Sequence, residues 1–104
     1  MIAALISASL LAASTQIAPN SVIFGIGNES CLSATDPERS LEREVWIMGY
    51  WSGLNAANKT LTGKNTDIFA IFAEAERRCN VAPSEKLMQI VLDIWWSMQP
   101  KPTA

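Results

Sequence analysis

Three stretches of the chain repeat their apolar residues at helical spacing, and no long stretch alternates in the manner of a half-buried strand. In the first, Asp36, Pro37 and Glu38 read as an N-cap, a proline at the first helical position and an acid in the first turn. Leu41, Val45, Met48 and Ser52 then recur three or four apart, which predicts the longest helix over residues 36–57. Gly49 and Gly53 share a face of it, and because glycine weakens a helix interior by about 1 kcal/mol, close packing against another helix is the expected reason for the pair. In the second stretch Ile68, Ile71, Phe72, Ala75 and Cys79 line one stripe, predicting a helix over 67–78 capped by Asn65 or Thr66. The third, over 84–98 with Ser84 as its cap, ends before Pro100 and Pro102. Residues 58–64 form a loop, and the strand-like run Ser21-Val22-Ile23-Phe24-Gly25 is short. The predicted class is all-α, a small single-domain bundle of about four helices.

The last helix is apolar nearly all round, with only Gln89, Asp93 and Ser97 as polar relief between Leu87 and Met98. Two readings follow. Either this helix is the central element of the bundle, or part of it, Trp96 with Met88 or Leu92, remains at the surface as a contact. Tyr50 and Trp51 raise the same question, since neighbours on a helix cannot both face one core. Trp51, Met88, Leu92, Trp95 and Trp96 are accordingly the candidates for an apolar surface that meets clients or a partner.

The N-terminus changes the picture. Residues 1–13 carry no charged side chain and are built from Ile, Ala, Leu and Ser, and small residues follow, which is the shape of a signal peptide over 1–18 with cleavage between about residues 12 and 18. Ser14, Thr15 and Gln16 interrupt the apolar run short of the roughly 20 residues that a membrane span needs. Export makes a disulfide the default reading of the lone cysteine pair, Cys31 and Cys79. The remaining chain of about 85 to 90 residues is one small domain, 29–98, with a short tail over 99–104, and a staple suits a core of that size.

Charge and chemistry narrow the function further. Eight basic residues against ten acidic ones, scattered among one another, offer no basic patch for nucleic acid. With no histidine in the chain, the two cysteines cannot complete a zinc site, and no nucleophile and base fall into a catalytic arrangement. Gly63-Lys64-Asn65-Thr66 lacks the upstream glycine of a phosphate loop, and Glu74 and Glu76 lie on different helix faces. Asn28-Glu29-Ser30 and Asn58-Lys59-Thr60 match the glycosylation sequon, a short pattern that arises easily by chance. A non-enzymatic protein without metal or cofactor is expected.

Ser30-Cys31, the block Val45-Trp46-Ile47-Met48-Gly49-Tyr50-Trp51-Ser52-Gly53-Leu54-Asn55, and Cys79-Asn80-Val81-Ala82-Pro83 resemble the HdeA/HdeB-like group of small periplasmic proteins of Gram-negative bacteria. Trp46, Gly49, Tyr50, Ser52, Gly53, Cys79 and Pro83 carry the likeness, which covers about residues 31–98. The resemblance implies a helical domain, one disulfide and a periplasmic location. It also implies proteins as partners, a homodimer among them. Its best-known members are ATP-independent acid-stress chaperones that expose apolar surface at low pH and hold unfolding clients. Ten carboxylates with ordinary pKa values near 4 are the acid-sensing groups available here. The same pattern approaches small periplasmic immunity proteins of the Rap1a/Tai type, which implies instead a module that binds one folded partner at neutral pH.

Overall fold

A computed structural model describes residues 22–100, so the signal-peptide reading and the last four residues of the tail lie outside the described part. Four α-helices follow one another: α1, Cys31–Ala34; α2, Ser40–Asn58; α3, Ile68–Val81; and α4, Leu87–Ser97. Two 3-10 turns, Gly25–Asn28 and Pro37–Arg39, precede α1 and α2. The described residues hold one isolated bridge, between Ser30 and Lys86, and no strand. The all-α class read from the periodicity is the observed one.

α4 is the central element. Leu87, Ile90, Val91, Leu92, Ile94 and Trp95 are all buried, and Ile47 and Trp51 of α2, Ile71, Ala75 and Cys79 of α3, and Ile26 of the first turn close around it. Only the narrow stripe of Gln89, Asp93 and Ser97 is left towards solvent, and a helix with so wide an apolar surface is suited by burial on its remaining sides. Of the two readings of this helix, the central one is observed. The core also takes in Ile26, three residues ahead of Glu29, the first charged residue of the chain.

Cys31 and Cys79 form the disulfide, with their Cα atoms 5.0 Å apart and both side chains buried. It joins the start of α1 to the end of α3. Backbone hydrogen bonds finish the joint: Cys31 N–H donates to Glu85 O, Leu32 N–H to Pro83 O and Leu87 N–H to Glu29 O. The stretch between α3 and α4 is thereby laced to the residues around α1, which places Pro83 at this junction.

Helix boundaries differ from the predicted ones for local reasons. Asp36 does act as a cap, its carboxylate accepting from Glu38 N–H, but it caps the 3-10 turn, and α2 begins at Ser40. Asp67, not Asn65 or Thr66, caps α3 by accepting from Phe69 N–H at 3.0 Å, one residue closer to the first turn. α4 starts at Leu87 with no side-chain cap and Ser84 takes no part; the Leu87 N–H is satisfied by Glu29 O across the junction. None of the described helices is long and apolar enough to cross a membrane.

Candidate functional site on the outer face of the long helix

α2 has two apolar faces, and only one is buried. Arg43, Ile47 and Trp51 point into the core, with Trp46, Tyr50 and Leu54 half-buried beside them. The stripe that marks the helix in the sequence lies on the other side: Leu41 is 74% exposed, Val45 54% and Met48 42%. Arg43 explains how a charged residue took an inner place. Its guanidinium donates from Nη1 to Ala34 O at 2.8 Å and more distantly to Asp36 O, so the cation closes the C-terminal end of α1 while its alkyl stem packs.

Gly49 and Gly53 do not pack against another helix of this chain. A Cβ placed at either glycine would meet nothing within 4 Å, and Ser52 between them is exposed. The expectation of intramolecular helix packing at this pair is corrected, because α3 and α4 approach α2 from the opposite side. Close approach occurs at Gly27 instead, where a Cβ would lie 1.8 Å from Cζ2 of Trp46.

Trp46 organises the N-terminal half of the site. Its indole N–H donates to Phe24 O at 2.9 Å, its ring lies over Gly27, and Tyr50 stacks on it with centroids 4.7 Å apart. The Gly25–Asn28 turn is therefore held along α2. Between turn and helix runs a crevice of about 480 Å³ lined by Gly25, Ile26, Leu41, Glu42, Val45 and Trp46. Phe24, whose carbonyl accepts from Trp46, stands exposed beside it, and Leu41 and Val45 of the outer stripe line it, so the crevice and the stripe form one apolar surface.

An ion-pair cluster borders this surface. Arg39 donates to both carboxylate oxygens of Glu29 and to both of Glu42, and Ser33 Oγ donates to Glu29 Oε1 at 2.7 Å. These hydrogen bonds, Arg39 first and Ser33 second, lower the pKa of Glu29 to about 2. The hydrogen bond from Arg39 also lowers that of Glu42, and the two carboxylates push Arg39 up. A similar cluster on α3 lies away from the site: hydrogen bonds from Arg77 and then Arg78 hold Glu74 at about 2.

The C-terminal half of α2 is fixed by Asn55, which the sequence reading did not single out. Its amide donates to Thr62 O, its carbonyl oxygen accepts from Trp95 Nε1–H and from Thr60 Oγ1–H, and Trp51 Nε1–H donates to the same Thr62 O. One amide thus ties α2, the following loop and α4 together. The sequence signal was its place at the end of the aromatic block, within reach of buried indoles that need partners. A shallow hollow of about 580 Å³ lies beyond, between residues 59–66 and Met98, Gln99 and Pro100.

Among the expected surface residues, Trp51, Leu92 and Trp95 belong to the core, and Met88 and Trp96 are half-buried. In the folded protein these five do not form a contact surface. The reason is the central place of α4, which draws Trp51 and Trp95 into hydrogen bonds at its end. Among the described residues no three of His, Cys, Asp and Glu are placed to hold a metal ion. Compared with protein-family models, curated proteins and solved structures, the chain matches none, so the reading of this face rests on its own geometry.

Proposed function

We propose that this chain is a non-enzymatic protein-binding module that acts in the periplasm and meets a folded partner at neutral pH through the outer face of α2. The observation that carries the reading is the apolar surface of Phe24, Leu41, Val45 and Met48, exposed while the core around α4 is closed. A monomer leaves single apolar residues at its surface as a matter of course, whereas a continuous patch beside a rigid crevice marks a contact site. Trp46 supports it by fixing the crevice in advance, which spares a partner the cost of ordering it.

The acid-stress chaperone reading stands second, and one observation favours it. Glu29 joins the residues before α1 to the turn before α2 through Arg39, and this tie persists until strongly acidic pH, where its loss would loosen the hold on the first turn and its core residue Ile26. The disulfide would keep the opened chain together. Against it as the first choice, the carboxylates with shifted pKa values lie at the surface and are shifted downward, so no buried acid is set to open the core.

Capture and aggregation assays separate the two. The oxidised protein immobilised at pH 7 is expected to retain a single folded protein from a periplasmic extract, and Val45→Glu to lose it. Suppression of client aggregation only at about pH 2 to 3, with no capture at pH 7, would replace the first reading by the second.

A further inference from the structure

We infer that the groove formed by the 59–66 loop, α3 and the end of α4 binds a free single-chain amphiphile with an anionic head, in form a medium-length fatty acid. Its head lies at Lys59 and Lys64 and its hydrocarbon chain between α3 and α4. The groove is separate from the outer face of α2 and independent of the reading given to that face. Two hollows make it up. The first, of about 580 Å³, carries the two exposed lysines together with the apolar walls of Leu61, Met98 and Pro100. The second, of about 250 Å³, runs over Ala70, Ile71 and Ile94, and Thr66 and Met98 line both. Sites for small molecules occupy about 300 to 1,000 Å³ and combine apolar walls with a few polar groups in the same way.

Charge gives the groove a direction. No acidic residue lines the first hollow, and among the described residues Lys59 and Lys64 take part in no ion pair. Asp67, next in the chain to Thr66, is occupied in capping α3, and Glu74 at the far end of the second hollow is bonded by Arg77 and Arg78. Uncompensated positive charge therefore stands at one end only, with an apolar floor leading away from it along α3 for about 12 Å between Ala70 and Arg78. The head end is also built in advance. Thr62 O accepts from Trp51 Nε1–H and from the Asn55 amide, while its hydroxyl oxygen accepts from the Gln99 amide, which donates as well to Trp95 O. Gly63, at φ 89°, turns so close to the Trp51 indole that a Cβ there would lie 3.1 Å from Nε1. A loop fixed in this way spares a ligand the cost of ordering it. Met98, where the two hollows meet, is unbranched and adapts to a hydrocarbon chain passing over it.

Nuclear magnetic resonance titration of the oxidised chain at pH 7 with octanoate tests the inference. Saturable shifts are expected at the amides of Gly63, Thr66 and Ala70 and at the Trp51 indole N–H, and not at Leu41 or Val45. Butyrate, which has the head without the tail, should bind about tenfold more weakly or worse, and octanol, which has the tail without the charge, should also bind more weakly. Lys59→Gln with Lys64→Gln is expected to weaken octanoate binding by about tenfold at low salt. Ala70→Glu, at an exposed helical position, should abolish it with unchanged helical circular dichroism, and Val45→Glu should leave it as it is. Absence of saturable shifts up to about 5 mM octanoate, equal binding of octanol or butyrate, indifference to the paired lysine change, or shifts confined to residues 41–48 each overturn the inference. Vesicles of anionic phospholipid separate a free amphiphile from a membrane surface: the protein is expected not to sediment with them, and sedimentation with them in place of octanoate binding overturns the inference in favour of the membrane. Because Val45→Glu acts only on the outer face of α2, loss of partner capture and loss of octanoate binding are read apart.

Discussion

Gly27 and Gly53 show how little the identity of a residue says until its surroundings are known. At Gly27 any side chain would meet the Trp46 ring, which is itself held by Phe24 O and by Tyr50, so it has nowhere to yield. Gly27→Ala is expected to destabilise the fold by about 2 to 3 kcal/mol, the upper range for overpacking. At Gly53 a methyl group meets nothing, and Gly53→Ala is expected to stabilise α2 by about 0.5 to 1 kcal/mol. Urea denaturation of the two variants checks the opposite signs. The sequence offered both glycines equally. Gly27 escaped notice because it lies just past the short strand-like run 21–25, outside every predicted helix, and only the fold brings Trp46, 19 positions on, against it.

At the scale of elements, α3 and α4 were legible and the orientation of α2 was not. The α3 stripe of Ile71, Ala75 and Cys79 is buried as its spacing requires, and α4, with only the narrow polar stripe of Gln89, Asp93 and Ser97, belongs in the middle with that stripe facing solvent. α2 carries apolar residues on both sides, Leu41, Val45 and Met48 on one and Ile47, Trp51 and Leu54 on the other, so periodicity alone announces the helix without choosing its inner face. The choice is made by the indoles, whose N–H groups find carbonyl partners inward, and by the Arg43 stem. While Arg39–Glu42 is a local pair, the Glu29–Arg39 pair that fastens α2 to the preceding residues was equally hidden, since it joins positions ten apart across a turn. Its pH behaviour can be stated. Glu29 has a folded pKa of about 2 against an ordinary 4.5, so its contribution to stability is complete above about pH 4.5 and is lost as the pH falls towards 2. The thermal midpoint is expected to drop over that window. Glu29→Gln should be less stable than the parent at pH 5 and converge on it near pH 2.

For the whole molecule, the covalent link and the packing divide the work. Closing the 48-residue interval between Cys31 and Cys79 removes about 4 kcal/mol of unfolded-chain entropy, a large part of what a domain of this size has in total. Reduction is therefore expected to abolish cooperative folding at 37 °C, which near-ultraviolet circular dichroism of the buried tryptophans would register as a loss of signal. The existence of the disulfide was legible from a lone cysteine pair behind an apolar N-terminal run, and its place between α1 and α3 was not, because it depends on how the α3–α4 stretch folds back onto Ser30 and Cys31.

The placement of that link also decides how the molecule withstands proteolysis. Lys59 and Lys64 lie exposed inside the interval spanned by the two cysteines, so a trypsin-like cut at either leaves both fragments on one covalent frame. Lys86 is exposed too, but it lies past Cys79, at the threshold of α4. A single cut there would release the helix that α2, α3 and the first turn pack around, so one peptide bond separates a nicked but intact protein from one stripped of its centre.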